Sequence, residues 1–158
     1  MTPARIIWHH SAISKTEPQF NDINTYHKSK KFPLSSLGFY VGYHYLIEKE
    51  GKIKQARKET ELGAHDTGEN TNSIGICLAG NFSQDMPTEA QAVSGALLVK
   101  AIRSRWKIPV SRIEPHRWDD ETECPGTRVS DNWLTQNYLT REGSLALRVF
   151  QAIGNANN

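Results

Sequence analysis

Between Asn72 and Gly80 the chain reads Ser73-Ile74-Gly75-Ile76-Cys77-Leu78-Ala79, seven residues with almost no polar side chain. A strand with one wet face would alternate apolar and polar residues. A strand without alternation is covered on both faces, as at the centre of a sheet flanked by other layers. With strand and helix patterns alternating along 158 residues, a length that fits one compact domain, the chain is expected to be α/β, a single domain with a central mixed β-sheet flanked by helices.

The rest of the sequence supplies those elements. Residues 5–8 read as a short strand, and residues 17–30 as a helix with Phe20, Ile23, Tyr26 and His27 on one face, ending before Pro33. Residues 43–49 and 52–56 form a hairpin around Glu50-Gly51, because glycine supplies the positive φ of a tight turn. Thr88 followed three residues later by Gln91 is a capping box opening an amphipathic helix to about Trp106. Two further helices are expected over residues 130–139 and 144–153. The domain spans 1–153, and the polar tail 154–158 frays.

Composition excludes several classes. With 19 Lys and Arg against 17 Asp and Glu, the net charge of +2 gives little attraction for phosphate backbones, so no nucleic-acid partner is expected. The basic run at residues 28–31 reads as a solvated helix end. No stretch approaches the roughly 20 apolar residues that cross a bilayer, so no membrane role is expected. The first residues enter a strand pattern directly and leave no room for a signal peptide, so the expected location is the cytoplasm of the producing cell. Two cysteines are too few for a disulfide framework: Cys77 lies in the apolar run and Cys124 in a polar loop before Pro125-Gly126.

His116, Cys124 and one of the neighbours His9 and His10 form a candidate zinc set. Imidazole nitrogen and thiolate sulfur are preferred zinc ligands, and three protein ligands leave a position open for water, the pattern of a catalytic site. His9 and His10 point to opposite faces of a strand, and periodicity does not choose between them.

Several ordered segments carry a resemblance. Trp8-His9-His10-Ser11-Ala12 comes first, followed by Gly42-Tyr43-His44-Tyr45-Leu46-Ile47, the Glu50-Gly51 turn and Arg57. Gly63-Ala64-His65 and the run from Asn72 to Phe82 follow, then Pro115-His116-Arg117 and Thr122-Glu123-Cys124-Pro125-Gly126. Together they resemble the type 2 N-acetylmuramoyl-L-alanine amidase family, which includes T7-type phage lysozymes and peptidoglycan-recognition proteins. The resemblance covers the chain from about Trp8 to Leu139. Trp118 stands where the family has an acidic residue, a place that Asp119 or Asp120 would fill.

The resemblance chooses His9, and so implies one Zn2+ held by His9, His116 and Cys124. It places Tyr43 and Thr122 beside the metal as catalytic hydroxyls, and His44 and His65 in the substrate cleft. It implies hydrolysis of the amide bond between N-acetylmuramic acid and L-alanine in bacterial peptidoglycan. With no export signal, the expectation is a monomeric phage-type endolysin that reaches the cell wall after release. Two alternatives share the fold. One is a non-catalytic peptidoglycan-binding module, against which Cys124 speaks, and the other is a cytoplasmic muropeptide-recycling amidase, against which Cys124 and Tyr43 speak.

Overall fold

The computed structural model describes residues 1–139. They form a five-stranded mixed sheet with helices on both faces. The strands are β1 (Arg5–His10), β2 (Tyr45–Ile47), β3 (Ile53–Gln55), β4 (Ser73–Leu78) and β5 (Ile113–Pro115), in spatial order β3-β2-β4-β1-β5. β4 pairs in parallel with both β1 and β2, β1 pairs in parallel with β5, and β2–β3 is the antiparallel hairpin. The apolar run thus lies at the sheet's centre, buried along its whole length.

Alternation along the strands feeds two cores. On one face Ile6, Trp8, Ile74, Ile76 and Leu78 meet Ala96, Val99 and Ile102 of α2 (Glu89–Trp106). On the other, Leu46 and Cys77 meet Phe20 and Ile23 of α1 (Phe20–Ser29). α2 begins as its sequence predicts, with the reciprocal Thr88–Gln91 capping box in place. Gly95 of α2 has a packing reason: a Cβ there would come within 2.4 Å of the Tyr138 ring, which stacks on Trp8 at 4.1 Å between centroids.

Three elements differ from the sequence reading. α1 starts at Phe20 because its first free amides are satisfied from a distance: Glu48, on the hairpin, accepts from the Gln19 and Phe20 N–H groups at 2.9 and 3.0 Å. The helix expected over 130–139 divides into one α turn, α3 (Asp131–Leu134), capped by Ser130, and a π-helical turn over Thr135–Leu139. β5 adds a strand of only three residues, too short to show a period. The helix expected over 144–153 and the tail lie outside the described residues. Among those described, no helix is long and apolar enough to cross a membrane.

Candidate metal centre

Two adjacent parallel strands bring the histidines together. Trp8 of β1 lies opposite Pro115 of β5, so the next residue along each strand, His9 and His116, emerges at the same end. Their ring centroids are 4.4 Å apart. The alternation that sends Trp8 into the α2-side core sends His9 to the α1 side. His10 turns away, its Nδ1 accepting from the Phe82 N–H at 3.1 Å. The structure therefore separates the two neighbours that periodicity left equivalent.

Cys124 returns to this point through a loop closed by hydrogen bonds. The Arg117 N–H donates to the Cys124 carbonyl at 2.9 Å, and the Thr122 N–H to the Asp120 carbonyl at 2.8 Å. Sγ of Cys124 then lies 3.7 Å from His9 Nδ1 and accepts from the His10 N–H at 3.4 Å. Donor atoms of His9, His116 and Cys124 all fall within 4.8 Å of one another. Both cysteines are free thiols, and Cys77 is fully buried in the core.

This donor set fits zinc. A tetrahedral ion with bonds of about 2.0–2.3 Å requires donors about 3.3–3.6 Å apart, so the His9–Cys124 pair is nearly in place. Burial, then the neighbouring His65 and His116, holds His9 well below the usual imidazole range, leaving it neutral as a ligand must be. Burial pushes the Cys124 thiol up to about 12, so a nearby cation is what would favour its thiolate. Asp66 points the same way. Both its carboxylate oxygens are buried without a hydrogen-bond donor among the described residues, and Oδ2 is 3.9 Å from His116 Nε2. Burial, then Asp119 and Asp120, raises this carboxyl to about 7. A positive charge in the site would compensate it.

The other sequence candidates take different places. Tyr43 packs against His9, with ring centroids 5.1 Å apart, and burial followed by Cys77 and Cys124 drives its phenol well above the ordinary range. Thr122 is exposed, and its hydroxyl accepts from the Cys124 N–H at 3.2 Å. His65 is at the site, its Nδ1 3.1 Å from His9 Nε2. His44 is held elsewhere: it is fully buried, Nδ1 accepting from the Gly75 N–H at 3.1 Å and Nε2 lying 3.0 Å from the Glu61 carbonyl. Both ring nitrogens are taken by backbone, so His44 braces the strands and offers no free nitrogen to a cleft.

An open cleft of about 360 Å³ reaches the donor set at His116, lined also by Phe32, Ala64, Thr67 and Asn70 with His65, Asp66 and Asp120. Asp66 was not anticipated from sequence, because a lone aspartate in a polar loop carries no local signal of burial. The same holds for Arg5, buried at the start of β1, where it pairs with Glu69, Glu114 and Asp119. That network anchors the loop after β5 to the sheet. Asp119 thus supplies a charge near the place where Trp118 lacks one.

Comparison with known proteins agrees with the geometry. A family model described as N-acetylmuramoyl-L-alanine amidase matches residues 1–127. Peptidoglycan-recognition protein SC1a of Drosophila melanogaster is 32% identical over 126 residues, covering 78% of this chain and 68% of that one. Peptidoglycan-recognition protein SC2 of Drosophila simulans is 35% identical over 113 residues, covering 70% of this chain. The chain spans only 58% of that relative's length. Among solved structures, N-acetylmuramoyl-L-alanine amidase LysC from Clostridium intestinale URNW has a TM-score of 0.73 at 28% identity, covering 85% of this chain and 84% of its own. With the family model matching residues 1–127, the chain belongs to the N-acetylmuramoyl-L-alanine amidase family.

Proposed function

We propose that this chain is a zinc-dependent peptidoglycan hydrolase that cuts the amide bond between N-acetylmuramic acid and the L-alanine of the stem peptide. The observation that carries the reading is the convergence of His9, His116 and Cys124 donor atoms within 4.8 Å beside an open cleft. Three ligands of this chemistry leave room for substrate, as a catalytic zinc requires and a closed structural site does not. The same complete ligand set favours an enzyme over a module that only binds peptidoglycan. We infer further that it acts on the cell wall as a monomeric phage-type endolysin, a reading supported by its likeness to an endolysin amidase.

When bound, the ion supplies Lewis acidity, which polarises a carbonyl and makes water a stronger nucleophile. The chain's own residues supply position and hydrogen bonds. Tyr43, half-buried against His9, keeps its phenolic proton at any working pH. It is therefore suited to donate to an amide oxygen as negative charge builds there. Thr122, fixed through the Cys124 N–H, offers a second hydroxyl at the mouth of the site. His65 holds the far nitrogen of His9, so Nδ1 of that ring remains directed at Cys124.

The test is mass spectrometry of purified cell wall after digestion by the zinc-loaded protein. The expected products are a free lactyl carboxylate on the sugar and a new L-alanine amino terminus, lost on adding a chelator and regained with zinc. Co-sedimentation with cell wall and no new termini would instead identify a binding module.

A further inference from the structure

Two carboxylates from separate segments face the same ring nitrogen of His116. Asp120, in the turn after β5, places Oδ2 3.1 Å from Nε2, and Asp66, in the loop after His65, places Oδ2 3.9 Å from it. We propose that Asp120 and Asp66 clamp His116, fixing the nitrogen it offers to the ion and setting how tightly the site holds metal. The proposal rests on the zinc-dependent function, and extends it to residues outside the ligand set.

The chemistry follows from what a carboxylate can do. It accepts hydrogen bonds and donates none, so Nε2 carries the proton and Nδ1 keeps the lone pair for a metal. The backbone holds Asp120 in place, since its own N–H donates to the His116 carbonyl at 3.2 Å and its carbonyl accepts from Thr122. The turn therefore brings the Asp120 carboxylate within hydrogen-bond reach of the ring.

Asp66 contributes charge instead of a hydrogen bond. An unpaired carboxylate with a fully buried side chain is strongly unfavourable unless a positive charge stands close by. The charge of Arg5 offsets only part of this cost, since its hydrogen bonds go to Glu114 and Asp119 and its other ion pair to Glu69. Two neutral imidazoles and one thiolate leave a divalent zinc site with a residual positive charge, which Asp66 balances across the His116 ring. A carboxylate bonded to the outer nitrogen also raises the basicity of the ligand nitrogen.

The experiment uses the whole chain with Asp120→Ala, Asp120→Asn and Asp66→Asn. Zinc affinity is read by competition with a chromophoric chelator, and the His116 tautomer by nitrogen NMR of the metal-free protein. Asp120 is exposed, so its variants are expected to fold, as checked by circular dichroism. Asp120→Ala should weaken zinc binding by about 10–100-fold and give a mixture of His116 tautomers. Asp120→Asn keeps an acceptor, and should preserve the tautomer with a smaller loss. Asp66→Asn should also weaken binding. Zinc affinities of Asp120→Ala and Asp66→Asn within about twofold of the parent would overturn the clamp while leaving the zinc site standing. If Asp66→Asn does not fold, Asp120→Ala decides alone. A parent protein that takes up no zinc would overturn both the clamp and the function it rests on.

Discussion

The ring of His65 occupies the space where Gly75 of β4 lacks a side chain: a Cβ built there would come within 2.5 Å of His65 Cδ2. Gly63 leaves similar room from the other side, its added Cβ falling 2.4 Å from the same atom. The glycines thus let His65 reach His9 Nε2. Gly75→Ala should displace His65, cost about 1–3 kcal/mol of stability through overpacking, and weaken zinc binding. Urea unfolding with parallel chelator competition measures both, and unchanged affinity would mean that His65 does not position His9.

In the proposed function Tyr43 acts on substrate without holding the ion. Tyr43→Phe removes the hydroxyl and keeps the ring against His9. Turnover on cell wall should fall by about 100–1,000-fold while zinc content stays near one ion per chain. Loss of zinc along with turnover would give the phenol a structural role.

Acid should loosen the fold through two histidines. Burial, then the charge of Arg57, lowers His27 from 6.5 to about 4, and burial does the same to His44. Their stabilisation is complete above the unfolded value near 6.5, declines as pH falls, and is lost by about pH 4. The size is on the order of 3 kcal/mol for each. His27 Nδ1 accepts from the Gly42 N–H at 3.0 Å, and His27→Asn can keep that acceptor without titrating. Urea midpoints from pH 7 to pH 4 should therefore fall less steeply in the variant. Parallel pH profiles would contradict this assignment.

Arg57 ties together the loops that frame the cleft. Its guanidinium donates to the carbonyls of Val41 at 2.7 Å, Leu62 at 3.2 Å and Pro33 at 2.5 Å. A lysine carries the charge but cannot match that planar fork, so Arg57→Lys should cost about 2–4 kcal/mol. Thermal unfolding checks it, and a melting temperature equal to the parent's would show the loops to be held by other contacts.

Residues whose role is local were legible in the sequence. The Thr88–Gln91 box, the Gly51 hairpin and the apolar run from Ser73 each carry their signal within a few residues, and each took its expected place. The three metal-site candidates were legible through their resemblance to a family. Features set by distant partners were not. The start of α1 depends on Glu48, and the burial of Asp66 and Arg5 follows from loops meeting across the sheet. His44 and His65 look alike in sequence as histidines after small or aromatic residues. The pairing of β2 with β4 gives one to the backbone, while the bare Gly75 turns the other toward His9.

X-ray absorption at the zinc edge of the loaded protein tests the central claim most directly. The account predicts one sulfur at about 2.3 Å, two imidazole nitrogens at about 2.0 Å and one further light atom. A spectrum without sulfur, or with its fourth position filled by another protein donor, would contradict it.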